Sequence, residues 1–280
     1  MSDPLRIIHG DFGRVALLRL DQSMVRHAHT QCHIIFKVGG PDIRFGVRQH
    51  EHLVTNNSVL LVNAWEPHFY LHRSNPEPTI LLALYLNPLW LKALDSRFML
   101  SAHPKFFNKP IATVPAKLSQ LRDDSLEQLV HNITPLKPRI SELMAEIFLE
   151  VINIVTPRTL LLHGGMYGEL GFDSRIRIVV EHILHSNDEP ATLDELASSI
   201  GLSRAQFFRL FTRTTGLPPA TFINMVRMEA CLKGVALRNL SMQAIAEQVG
   251  FLPASNFTRF FSGQQGVSPN KYRKAMDIVV

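Results

Sequence analysis

Four histidines stand where their chemistry could be pooled. His27 and His29 flank one residue, His33 follows, and His68 comes after Trp65-Glu66-Pro67. His27, His29 and His33 are odd-numbered, so a regular strand would carry them on one face. Four imidazoles could hold Zn, Fe, Ni or Cu. They could equally line a pocket together with Phe36, Arg44 and Trp65, a setting suited to a carboxylate or other anionic effector. Histidines on strands more often serve as hydrogen-bonding pocket or core groups, so the pocket is the reading adopted, with no metal and no cofactor expected. Cys32, lying among them, reads as a small buried hydrophobe. The chain supplies no nucleophile beside a base, no phosphate-binding loop and no paired carboxylates at useful spacing. Catalysis would rest on the histidines alone, and a non-enzyme is expected.

A second set of residues comes in duplicate. Ala197 matches Ala246, Arg209 matches Arg259, Phe211 matches Phe261, Gly216 matches Gly266, Pro219 matches Pro269 and Phe222 matches Tyr272. The offset is 49 at the alanines and 50 afterwards, so the second copy has one extra residue in its turn. In the first copy, Thr192-x-x-Glu195 and Ser203-x-x-Gln206 are capping boxes, each tying a helix start to its own first turn. Gly201, between them, permits the left-handed corner of a helix–turn–helix. The second copy runs from a Ser241 cap through Ile245, Ala246, Val249 and Gly250 to a helix of about residues 253–262, with Pro253 at its first position. Phe222 to Leu237 forms the connecting helix. A duplicated helix–turn–helix is a device for reading two places on one duplex.

These residues need scaffolds of two kinds. Residues 1 to about 87 alternate short apolar runs with turn signals, which predicts strands at 14–20, 33–38, 43–48, 58–62, 68–72 and 79–86 and a sandwich or small barrel. Helices are expected at 88–97, 114–131 and 139–155. In the last, Ile140, Met144, Ile147, Val151 and Ile154 step by 4, 3, 4 and 3. That spacing fits either a dimer seam or a helix packed on its own barrel. Gly164, Gly165, Gly168 and Gly171 mark 161–173 as a flexible linker. The expected organisation is thus an α+β chain: a sensing and dimerisation domain over 1–160, then an all-α domain over 174–280.

Composition bounds the partners. The net charge is +5 over 280 residues, which suits a polyanion. The bias is spread out: from Gly171 on there are 12 Lys/Arg against 9 Asp/Glu, and elsewhere 17 against 15. Local placement of arginine must therefore do the work. Two cysteines, Cys32 and Cys231, exclude a disulfide framework and fit a reducing compartment. The start of the chain is not a signal peptide, and its longest apolar run, Ile80–Leu86, falls short of the roughly 20 residues of a membrane span. A cytoplasmic protein without membrane attachment is expected.

Residues 193–204 (LDELASSIGLSR), 245–251 (IAEQVGF), 257–261 (FTRFF) and 266–273 (GVSPNKYR) resemble the DNA-binding domain of the AraC/XylS family of bacterial transcription regulators, over about 175–274. The resemblance implies two helix–turn–helix units on a long helix, entering successive major grooves. Carried over by position, base-reading falls to Arg204, Ala205, Phe208 and Arg209, then to Ala254, Ser255, Thr258 and Arg259. Asn256 is a further outward candidate; Arg213, Lys271 and Arg273 are phosphate-contact candidates. The chain departs from the family at Leu252 and Pro253, where polar residues are common, and at Gly263 and Gln264, where basic ones are. The histidine segments are similar to the two half-motifs of a cupin barrel, with His33 where a metal-binding cupin has a carboxylate. The family implies a small-molecule effector, dimerisation and action on RNA polymerase. A barrel that only dimerises, or a metal-dependent cupin activity, are the alternatives.

Overall fold

A computed structural model describes residues 2–72, 77–102, 106–131, 136–155, 173–185 and 191–279. The Gly-rich stretch expected to be the linker lies outside these, apart from Asp173. The first domain begins with nine strands: β1 (Asp3–Gly10), β2 (Gly13–Leu20), β3 (Met24–His27), β4 (Cys32–Gly39), β5 (Ile43–Val47), β6 (His50–Val54), β7 (Ser58–Val62), β8 (His68–Leu71) and β9 (Thr79–Leu86). Helix α1 (Pro88–Leu94), strand β10 (Ile111–Thr113), α2 (Ala116–His131) and α3 (Leu136–Val155) follow. The second domain has α4 (Ser174–His185), α5 (Leu193–Ser199), α6 (Arg204–Thr215), α7 (Pro219–Ala236), α8 (Met242–Gln248), α9 (Ala254–Gln265) and α10 (Pro269–Ala275), and ends in β11 (Met276–Ile278).

The strands do not close into the expected barrel. They form one sheet ordered β10-β7-β4-β9-β2-β1-β11 and another ordered β3-β8-β5-β6. β1, near one edge of the large sheet, takes β11 in parallel, with Ile7 opposite Met276. The end of the chain thus completes the sheet of the first domain.

Both faces of the large sheet are buried, and strand alternation sorts its residues. Ile8, Val15, Leu17, Ile34, Phe36, Leu61 and Leu84 face a core shared with α2 and α3. Ile7, Ala16, Leu18, Ile35, Leu60, Val62 and Leu81 face a second core, which runs without a break into Met228, Cys231, Val235, Ile245, Phe257 and Phe261. The α3 seam belongs to the first core: Ile140, Met144, Ile147 and Val151 are fully buried there. They are spent within the chain and cannot serve as the expected dimer face; of that set only Ile154 is exposed, at 37 %.

Because one core spans both domains, they should unfold together. Phe261→Ala is expected to cost about 3–5 kcal/mol, measured by urea unfolding, with strand and helix signals lost in one transition. A separate early helical transition, leaving the sheets intact, would contradict this.

Candidate functional site

The two helix–turn–helix units are built as their sequences require. Thr192 accepts from the Glu195 amide while Glu195 returns to the Thr192 amide, and Ser203 and Gln206 do the same. Gly201 and Gly250 turn the corners at φ 66° and 75°. Phe207, Leu210 and Phe211 are buried in the first unit, and Phe257 and Phe261 in the second. Arg204, Ala205, Arg209 and Arg213 are left exposed on α6 with Phe208 half-buried; on α9, Ser255, Thr258 and Arg259 are exposed, with Ala254 and Asn256 half-buried. Arg204 pairs with Asp194 of α5 at 2.9 Å, and Asn256 donates to the Leu252 carbonyl at 3.2 Å. Arg209 and Arg213 border a surface concavity with Arg175 of α4, a basic residue that the sequence patterns did not single out. Helix α9 starts at Ala254, with Pro253 as its N-cap residue.

Two of the phosphate-contact candidates are engaged elsewhere. Arg273 donates to the Val235, Gly234, Leu237 and Leu240 carbonyls, closing the C-terminal end of α7. Lys271 pairs with Asp3 of β1. The departures at Gly263 and Gln264 have the same origin. A Cβ on Gly263 would already touch Val25 of β3, and Gln264 is buried. A long basic side chain there would run into the first domain.

Between the domains lies a cavity of about 180 Å³. Its walls come from β2, the His27–Gln31 segment, Tyr85 of β9, and α7 through Met225, Met228, Glu229, Leu232, Lys233 and Ala236. Arg14 of β2 is its cation. Arg14 is buried, donates to Gln265 Oε1 at 3.0 Å and to the Tyr272 hydroxyl at 2.7 Å, and lies 3.6 Å over the Tyr85 ring. No close ion pair to it is seen among the described residues, but the Glu229 carboxyl in the same cavity attracts it at longer range. The hydroxyl of Tyr272, which accepts from Arg14, also hydrogen-bonds His9 Nε2 at 2.8 Å. Burial pushes the Tyr272 hydroxyl up to about 12 and raises the Glu229 carboxyl.

The pocket residues expected from sequence are only partly united. His27 and His29 wall the cavity, and His33 and His68 pack behind them. Phe36 does not join them: three residues along β4 from His33, it points to the opposite face, into the α2–α3 core. Arg44 is exposed on the outer side of β5, where Phe45 takes the inward place 6.1 Å from His68. Trp65 stacks on Phe222 at 5.6 Å, joining the first domain to α7. The histidines are also unsuited to an anion. Burial holds His27 down at about 4 and His29, His33 and His68 well below 6.5, so they are neutral, and the charged donor at the cavity wall is Arg14. Sequence reasoning passed over Arg14, Tyr85, Gln265 and Tyr272 as pocket residues; Arg14, a charge opening the apolar run Val15–Leu18 of a predicted strand, was the available signal.

The comparisons with known proteins agree with this anatomy. Residues 196–275 match the family described as "Helix-turn-helix domain". Over 105 residues the chain is 30 % identical to the HTH-type transcriptional regulator MtrA of Neisseria gonorrhoeae, covering 36 % of this chain and 34 % of that one. Over 100 residues it is 29 % identical to the RCS-specific HTH-type transcriptional activator RclR of Escherichia coli, covering 36 % and 35 %. The chain spans about a third of the length of these relatives. Along almost its whole length the fold is similar to that of ToxT from Vibrio cholerae. The fatty-acid-bound structure gives a TM-score of 0.54 at 15 % identity, covering 92 % of this chain and 94 % of that one; another crystal form gives 0.58 at 13 %, covering 93 % and 97 %. The second domain is therefore a double helix–turn–helix DNA-binding domain of the AraC type. Through it, the chain is similar to regulators of the AraC/XylS family.

The seam chemistry predicts an acid response. Burial first, then the Arg14 charge, holds His9 at about 3 against an ordinary 6.5. A histidine neutral when folded but free to protonate when unfolded gives full stability above pH 6.5. That stability is lost as pH falls from 6.5 toward about 3, by up to about 1.4 kcal/mol per pH unit. His27, His29, His33 and His68 add to the same limb, so His9→Gln should lower its slope by up to about 1.4 kcal/mol per pH unit; an unchanged slope would remove His9 from the seam.

Proposed function

We propose that this protein is an effector-responsive transcription regulator whose two helix–turn–helix units read successive major grooves of double-stranded DNA. The observation that carries this reading is the double use of α7. Eighteen residues long, and so about 27 Å, it joins the two reading units and also forms one wall of the interdomain cavity. A molecule filling that cavity presses on the rod that spaces the reading heads. Successive groove centres on one face of a duplex lie about 34 Å apart.

Base contacts are assigned to Arg204, Ala205, Phe208 and Arg209 on α6 and to Ala254, Ser255, Thr258 and Arg259 on α9. Arg175 and Arg213 are assigned to phosphates flanking α6. A single chain carries both heads, so binding needs no partner copy, and the effect on transcription is exerted on RNA polymerase at the bound promoter.

The effector is an organic anion with an apolar body. Arg14 and Lys233 offer the charge, while Met225, Met228, Leu232 and Ala236 offer the apolar wall. A buried cation bonded only to neutral groups is costly, and a carboxylate entering beside it offsets that cost. ToxT, which shares the fold, has been crystallised with an unsaturated fatty acid bound; a long-chain carboxylate is the corresponding choice here.

The test is selection of bound DNA from a random pool, with and without a long-chain carboxylate, using wild type and an Arg209→Ala/Arg259→Ala double variant. Wild type should enrich two blocks about 10 base pairs apart. The variant should lose discrimination at one position in each block, by about 1–3 kcal/mol per contact. Enrichment of a single block, or an unchanged motif in the variant, would defeat the two-headed reading.

A further inference from the structure

We propose that His27, His29 and His68 form a binding site for one divalent transition metal of the zinc class inside the first domain, with the three Nε2 atoms as ligands. The site stands apart from the reading of the cavity as an effector pocket, since it depends only on the three rings.

The tautomers carry the inference. His27 Nδ1 lies 2.7 Å from the Val25 carbonyl, His29 Nδ1 2.9 Å from the Gln31 carbonyl, and His68 Nδ1 2.9 Å from the Glu66 carbonyl. A carbonyl oxygen only accepts, so each Nδ1 bears the proton and donates it. Each Nε2 is then a bare lone pair. A histidine that ligates a metal through one nitrogen typically has its other nitrogen fixed by such a backbone bond. Here three rings share the arrangement.

The lone pairs converge, and two of the three have nothing to accept. One ligand nitrogen from each ring lies within 4.8 Å of the others. The Nε2 atoms of His29 and His68 are buried without a hydrogen-bond partner, and those residues are 7 % and 1 % exposed. Leaving such atoms unsatisfied is costly, and a shared cation would offset that cost. Nitrogens on one tetrahedral ion, at about 2.0–2.1 Å from it, stand about 3.3 Å apart. Closing from 4.8 Å asks for ring movements of about an ångström.

The donor set selects the class. Three neutral imidazoles suit zinc, iron(II), nickel or copper and not calcium or magnesium, which prefer oxygen. Among the described residues no carboxylate or thiolate joins the trio. The Glu66 carboxylate is turned to Arg48 at 2.5 Å and to the Asn63 amide at 2.9 Å. His33, its ring centre 5.1 Å from that of His29 and 5.6 Å from that of His68, also has both nitrogens unpartnered and buried. It stands ready as a fourth donor. Otherwise the last position belongs to water or to an anion from the cavity that His27 and His29 border.

The test uses the full chain, stripped with a chelator and titrated with zinc(II) against a chromophoric competitor. One equivalent per chain is expected, with affinity reduced at least about 10–100-fold in His29→Ala and His68→Ala and unchanged in His50→Ala, a change at an exposed site. A readout on wild type avoids any dependence on the variants folding. In 15N-detected spectra of the labelled histidines, one equivalent of zinc should shift three Nε2 resonances while the matching Nδ1 atoms stay protonated. Three unshifted Nε2 signals, or zinc held with equal affinity after both substitutions in folded protein, would overturn the proposal.

Discussion

The structure turns on one buried cation. Arg14 sits in β2 between an aromatic ring of its own domain and two side chains of the other. A guanidinium taken out of water must be compensated or the chain does not bury it. Here the compensation comes from Gln265 at the end of α9 and Tyr272 of α10, so satisfying Arg14 means docking the second helix–turn–helix unit. The parallel pairing of β1 with β11 and the Lys271–Asp3 and Arg6–Asp277 pairs then fall along the same line. Neutral polar partners stabilise a buried charge less completely than an anion does. On the proposed function, this incomplete compensation is what an entering carboxylate would exploit.

The seam also explains residues that look anomalous beside the family pattern. Gly263 and Gln264 stand where basic residues are common, yet α9 presses its C-terminal half on β3 rather than on a phosphate. Arg273 is used to close α7, the rod on which both reading units hang. The second unit thus trades phosphate contacts for domain contacts. On the proposed function, its placement on DNA would follow how the first domain sits.

Local signals were legible in the sequence; tertiary ones were not. The six strands expected from alternation match β2, β4, β5, β7, β8 and β9 within one or two residues, and the capping boxes place α5 and α6 at their observed starts. Strands β1, β3, β6, β10 and β11 escaped because they are short, polar or defined by a distant partner. β11 is three residues following a helix, and only its pairing with β1 makes it a strand. On α3 the periodicity of Ile140 to Val151 was real, but periodicity names a face and not what covers it. In the pocket, His27 and His29 were legible as a pair, whereas Phe36 fails on strand parity and Arg14 becomes visible only once α9 and α10 are docked against it.

The central claim is that occupancy of the cavity and occupancy of DNA are linked through Arg14. Linkage of this kind is reciprocal and measurable as a coupling free energy. The most direct measurement is the DNA dissociation constant of the full chain as a long-chain carboxylate is titrated in at fixed salt, for wild type and for Arg14→Met. Coupling through the seam predicts at least about a fivefold change in wild type, corresponding to about 1 kcal/mol, and a flat response in the variant. A carboxylate that binds wild type yet leaves DNA affinity unchanged, or an Arg14→Met protein that responds as wild type does, would contradict it.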